Sequence, residues 1–161
     1  MAVLLNPYLT FKMTMRMDAV ADLIVGRLYL QREGKKQIEW RATSGLPYCQ
    51  FHQSWVMRGR GPIPPSEAII QTLYTMETNK YWYPLVKGIE GSSYRIHPER
   101  VLTNLTERSN FEIHFDANQP GTAGCIAITN QIDWDSFRAT ILEIHNQGVR
   151  MIPLNVLYSI V

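Results

Sequence analysis

Two residues have the types and spacing for covalent chemistry: His114 and, eleven residues later, Cys125. They lie in the stretch Phe111 to Ile128, FEIHFDANQPGTAGCIAI, where a histidine ends one strand-like run and Gly-Cys opens another across a Gly/Pro loop. A cysteine nucleophile works as its thiolate, and a neighbouring imidazole is the usual group that takes the thiol proton or holds the ion pair. Gly124 leaves the backbone beside the thiol uncrowded, so its amide and that of Cys125 could face a developing oxyanion. The competing reading is a buried structural thiol and a surface imidazole, since free cysteines are among the most buried residue types. Spacing alone leaves both open.

The other reactive side chains are less well placed. Asp116 follows His114 by two and could contact it or a substrate, or be a solvated loop carboxylate. Glu112 shares a strand face with His114 and reads as exposed. His97 precedes Pro98 in a loop and His145 lies late in a helix; neither has a partner at metal-ligand spacing, which disfavours a zinc peptidase. Cys49 and His52 are three apart with no second ligand pair, so Cys49 reads as packing or an idle thiol. Papain-like wall peptidases place the Cys before the His, the reverse of the order here. Trp55, Tyr81, Trp82 and Tyr83 could line a groove for a peptide or glycan, or be core. No metal or organic cofactor is expected.

The elements that must position the pair read as mainly β. Residues 27–30 and 37–42 alternate in character across Arg32-Glu33-Gly34-Lys35-Lys36, a hairpin. Prolines in Ser44 to Pro47 and Arg58 to Pro65 forbid a helix or a central strand there. Ser66 is a plausible helix N-cap, but the β-branched content of 67–76 favours a strand. Residues 81–90 read as a surface loop or groove wall. Ser109 to Phe115 places Phe111, Ile113 and Phe115 on one face and Glu112 and His114 on the other. Cys125 to Thr129 reads as a short buried strand. One helix is clear near the C-terminus: Asp133 caps it, Trp134, Phe137, Ile141 and Ile144 form its apolar stripe, and Gly148 closes it. Val149 to Val156 is a final strand broken at Pro153.

Composition bounds the rest. A chain of 161 residues, 45% hydrophobic and 19% charged, buries one core. A formal net charge of +2 gives no basic stripe for nucleic acid. Two cysteines exclude a multi-disulfide framework, and a bridge between Cys49 and Cys125 would abolish the nucleophile. No run reaches the roughly 18 apolar residues of a membrane helix, so no membrane partner is expected. The start, MAVLLNPYLT, lacks a positive charge and breaks at Asn6-Pro7, which does not read as a signal peptide. Residues 1–25 read as a loose arm or docked short strand, and 26–161 as the domain proper.

The stretch resembles the L,D-transpeptidase catalytic domain, whose signature sets an Ile-His strand end before a Ser/Thr-x-Gly-Cys-hydrophobic motif. Here these are Ile113-His114 and Thr122-Ala123-Gly124-Cys125-Ile126. Upstream, Ala42-Thr43-Ser44-Gly45 is similar to the turn after the family's early strands. Gly61-Pro62-Ile63-Pro64-Pro65 resembles a segment of its short single-domain branch, and Arg108 and Phe111 fit that branch. The resemblance covers residues 26–129. The larger family usually has a second histidine where Ala123 stands, and often an Arg where Ala127 stands.

That resemblance implies a β-sandwich or barrel-like fold, with Cys125 as nucleophile and His114 as its base. The Phe115 backbone carbonyl would orient the imidazole, and the amides of Gly124 and Cys125 would form the oxyanion hole. Thr122, Arg108 and Asp116 would contact substrate. The implied substrates are peptidoglycan stem peptides, cleaved after the diamino acid at position three, with the acyl group passed to water or to an amine. Action in the periplasm or cell wall without an export signal suggests delivery by a phage tail or baseplate, or as an injected toxin. The N-terminal arm and the apolar stretch 154–161 would suit docking into such an assembly. The alternative is a non-catalytic structural or interaction subunit that retains the fold.

Overall fold

The computed structural model of the chain describes residues 6–70, 73–85, 91–117 and 120–161. Alternation of buried and exposed side chains makes Tyr8–Met15 a strand, β1, with Leu9, Phe11, Met13 and Met15 inside. It pairs antiparallel with β2 (Gly26–Gln31), which turns through Gly34, at φ 73°, into β3 (Ile38–Gly45). The expected hairpin is present. Of the two readings of residues 1–25, a loose arm or a docked short strand, residues 8–15 form a strand, and an inner one, because its alternating apolar residues complete the core.

Residues 66–68 form a single 3-10 turn rather than the start of a strand. Ser66 does not cap it, and its hydroxyl instead accepts the Val156 amide at 2.8 Å. Of the strand expected over 67–76, residues 74–76 belong to β4 (Tyr74–Glu77), and 71–72 lie outside the described residues. β5 (Tyr81–Tyr83) and β6 (Gly91–His97) follow; the expected loop over 81–90 is thus partly strand, and 86–90 lie outside the described residues. A small separate ribbon joins β7 (Arg100–Leu102) to β8 (Glu107–Ser109). Asn110, at φ 63°, breaks the chain before β9 (Glu112–Phe115). β10 (Thr122–Ile128) then runs parallel to β9, with Ala127 beside His114.

The helix α1 (Gln131–Asn146) starts earlier than expected. Asn130, not Asp133, is its N-cap: the Asn130 side chain accepts the Asp133 amide at 2.8 Å and donates back to the Asp133 carboxylate at 3.0 Å. The stripe Trp134, Phe137, Ile141 and Ile144 is buried as expected, edge-on to Trp40 and Tyr94. Gly148, at φ 92°, closes the helix. The last strand, β11 (Met151–Ile160), passes unbroken through Pro153, contrary to expectation. Pro153 pairs with Thr75 of β4 ahead of Leu154, where pairing with β1 begins, so its missing N–H falls where the strand has one neighbour.

The sheet runs β4, β11, β1, β2, β3, β10, β9, β6, and pairing of β4 with β6 closes it, with β5 attached to β6. The fold is mainly β, a barrel-like sheet with one helix near the C-terminus. Among the described residues no helix is long and apolar enough to cross a membrane.

Candidate active site

The reactive segment is a bulge. From the pair Thr122–Gly45 to the pair Ala127–Thr43, β10 advances five residues while β3 advances two. Pairing with β9 begins only at Ile126. Ala123, Gly124 and Cys125 therefore form the irregular part of β10, without a register partner on β3 or β9. The two amides expected at an oxyanion hole belong to this bulge.

Its shape rests on Gly124 and Arg108. Gly124 has φ 121°, and a Cβ there would lie 2.5 Å from Arg108 Nη2 and 2.9 Å from the Phe111 ring. Arg108 is buried, and its Nη1 donates to the carbonyls of Trp55 and Pro62, the latter at 3.1 Å. Its Nη2 donates to Gly61 at 3.1 Å and Ala123 at 3.5 Å. Ser44 adds a second tie, accepting the Ile63 amide at 2.9 Å and donating to the Gly124 carbonyl at 3.2 Å. Gly61-Pro62-Ile63-Pro64-Pro65 is thus a buried wall behind the cysteine loop. Arg108 and Ala123 also line a cleft of about 310 Å³ with Arg58, Glu107 and Ser109.

His114 is buried on β9, and its Nδ1 lies 2.8 Å from the Phe115 carbonyl. A carbonyl only accepts, so Nδ1 carries the proton and Nε2 presents a lone pair. The Thr122 hydroxyl, 3.3 Å from Nε2, is then the donor in that bond. Burial lowers the His114 pKa below 6.5, against the Phe115 carbonyl, which raises it. The Phe115 ring stacks on Trp134 of α1, and the next amide, Asp116 N, donates to Ile128 O at 2.9 Å. Helix and parallel strand together fix the carbonyl that orients the imidazole.

Cys125 is half-buried and reduced. Its Sγ–H points to the Asn110 carbonyl at 3.9 Å, and among the described residues no hydrogen bond joins it to the imidazole. Burial pushes the thiol up to about 11, with a smaller push from the Glu112 carboxylate. The Glu112 amide, the Thr122 hydroxyl and the Arg108 guanidinium pull it down. Thr122 therefore acts on both members of the pair.

Of the other candidates, Asp116 accepts the Gly121 amide at 3.1 Å, closing the loop between β9 and β10. Burial raises its pKa against that amide, which lowers it. Trp55 is core, Trp82 is exposed, and Tyr83 lines a cleft. Cys49 is buried and free. His97 is held by Glu77 at 2.8 Å and His145 lies 2.9 Å from Thr78. Among the described residues no group of three His, Cys, Asp or Glu side chains could hold a metal ion. The contact of Thr122 with His114 and the bulge itself had no signal in residue spacing.

No family model, curated protein or solved structure matches the chain.

Proposed function

We propose that the chain is a cysteine acyl-transfer enzyme of the L,D-transpeptidase kind, acting on peptidoglycan stem peptides. The observation that carries the reading is a backbone-oriented imidazole whose second nitrogen meets Thr122, on the strand next to a thiol carried by a glycine-bearing bulge.

In this reading the thiol proton passes through the Thr122 hydroxyl, or directly after the side chain turns, to His114 Nε2. Sulfur attacks the carbonyl of the diamino acid at stem position three, and the bulge amides of Gly124 and Cys125 receive the developing charge. The imidazolium returns its proton to the departing amine of the terminal residue, leaving a thioester. Water or an amine then resolves it, by the same proton transfers in reverse. A thiol near 11 beside a neutral imidazole suits general-base activation during attack rather than a resting ion pair.

A second reading, a subunit that keeps the fold without turnover, draws on the thiol's turn toward Asn110 O. The test is incubation of wild-type protein and Cys125→Ala with tetrapeptide muropeptides, followed by mass spectrometry. Loss of the terminal alanine with wild type alone supports the enzyme; equal traces from both support the second reading.

A further inference from the structure

Between α1 and the connection from β4 to β5, residues 78–80, lies a cleft of about 360 Å³. Asp135, Arg138, Leu142 and His145, spaced three or four apart, bring one face of the helix to it, with Ala139 beside them. The connection supplies Thr78 and Lys80, and β6 supplies Tyr94. None of these walls belongs to β9, β10 or the cysteine loop.

Its donors are left over. Tyr94 is 2% exposed, edge-on to Trp134 and Phe137. A buried tyrosine ordinarily finds a partner for its hydroxyl. Among the described residues this hydroxyl has none. Burial pushes its pKa up to about 12, against the Arg138 guanidinium, which lowers it, so the group stays a neutral donor. Arg138 gives Nη2 to Asp135 at 2.8 Å, while its Nε is buried without a partner. Lys80 forms no ion pair among the described residues.

The acceptors, by contrast, are engaged. Asp135 Oδ1 takes both Arg138 and Gln131, each at 2.8 Å. Thr78 Oγ1 donates to the Val149 carbonyl at 2.7 Å, so it receives the His145 Nδ1 proton at 2.9 Å. His145 Nε2 then accepts Arg150 Nη1 at 3.1 Å, which keeps the ring neutral. Two positive side chains, Lys80 and Arg138, therefore stand against one negative, Asp135, beside the apolar sides of Ala139 and Leu142.

We propose that this cleft binds a monocarboxylic acid with an apolar body, its carboxylate received by the Tyr94 hydroxyl and Lys80 and its chain laid on Ala139 and Leu142. Buried polar groups are normally satisfied, and a carboxylate oxygen on Tyr94 supplies the acceptor that the protein does not. A surplus of one positive charge matches a monoanion rather than a phosphate dianion. Leu142 is 54% exposed, and covering it with an apolar chain adds to the binding. The site does not depend on the acyl-transfer reading, since it shares no residue with the Cys125 loop.

The test is titration of the full chain with hexanoate, followed by the backbone amide shifts of Lys80, Tyr94, Arg138 and Leu142. Saturable shifts at these residues are expected. Hexanamide keeps the chain and lacks the charge, and acetate keeps the charge and lacks the chain; each should bind at least roughly tenfold more weakly. Tyr94→Phe and Lys80→Gln should each weaken hexanoate by about tenfold. The urea midpoint of ligand-free Tyr94→Phe should stay at or above that of wild type, because the lost hydroxyl had no partner. A fall in that midpoint would show that the hydroxyl is already satisfied, and overturns the proposal. So does hexanamide binding as well as hexanoate, hexyl phosphate binding more tightly, unchanged affinity in Tyr94→Phe, or no saturable shift at these residues by roughly 10 mM.

Discussion

His114 donates its Nδ1 proton to the carbonyl of its own chain neighbour Phe115, at 2.8 Å. The bond puts the lone pair on Nε2, the nitrogen that faces Thr122 and the cysteine loop. Because the acceptor is backbone, the orientation depends on how β9 is held rather than on a third side chain. The Phe115 ring on Trp134 and the Asp116–Ile128 bond supply that hold.

In the proposed acyl transfer, a neutral imidazole and a protonated thiol would set the pH dependence of acylation. The base works only when deprotonated, and burial places its pKa below 6.5. The rate of thioester formation should therefore rise through a value below 6.5 and stay level toward the alkaline range. Direct alkylation by iodoacetamide needs thiolate and should climb only toward the thiol's value of about 11. Stopped acylation assays with a tetrapeptide between pH 4.5 and 9 would check this. An acylation rate still climbing at pH 9 would mean that thiolate supply, not the imidazole, limits the step.

In the proposed reaction Thr122, whose hydroxyl lies 3.3 Å from His114 Nε2, would pass the thiol proton to the imidazole. Thr122→Val keeps the shape and removes the hydroxyl, and should lower the rate of acylation by about 10²-fold, within the range of positioned proton transfer. Thr122→Ser restores the hydroxyl and should recover most of it. The readout that separates relay from packing is the pH profile. In Thr122→Val the step governed by the His114 lone pair should weaken along with the rate. A substrate-contact role alone would instead change KM and leave that profile in place.

The two strands that carry His114 and Cys125 were legible because their signal is local: residue types, a glycine and a loop within one short stretch. The hairpin over 27–42 and the helical stripe were legible for the same reason, since periodicity needs no partner. What escaped reading depends on distant chain. β1 counts as a strand of the barrel only because β2 and β11 flank it. Pro153 is tolerated in β11 because of where pairing with β1 begins. The Asn130 cap was hidden by Asp133, an equally good cap residue three positions on. Arg108 carries no hint in sequence that four carbonyls from three segments converge on it. The expected docking surfaces at the two ends are paired to each other as β1 and β11.

His114 also couples stability to pH, and the sign follows from burial. Its pKa is lowered in the folded state, so between that value and 6.5 the unfolded chain binds more protons. Stability should then rise with pH through this window, while Glu112 and Asp116, whose pKa values are raised, contribute the opposite slope at lower pH. Urea midpoints measured for wild type and His114→Asn from pH 4 to 8 isolate the histidine part. The rise below 6.5 should be smaller in the variant. Parallel curves would show that His114 titrates alike in both states.

Gly124→Ala tests whether Arg108 is the rigid wall of the bulge. An alanine there meets two obstacles: φ of 121°, which L side chains rarely adopt, and Arg108 Nη2 at 2.5 Å. A guanidinium on a flexible stem would ordinarily move aside, but four carbonyl bonds hold this one. The substitution should cost about 2–5 kcal/mol, from strain and overpacking together. At roughly 2–4 °C per kcal/mol for a chain of this size, that is a fall in Tm of about 4–20 °C. Arg108→Ala alone should also destabilise, because it leaves buried carbonyls unsatisfied. In the double variant the clash is gone, and the alanine's added cost should shrink to the backbone strain alone. A double-mutant cycle by thermal or urea unfolding reads the difference. Strict additivity would show that Arg108 yields to the new methyl group, and that the bulge takes its shape from the glycine's backbone freedom alone.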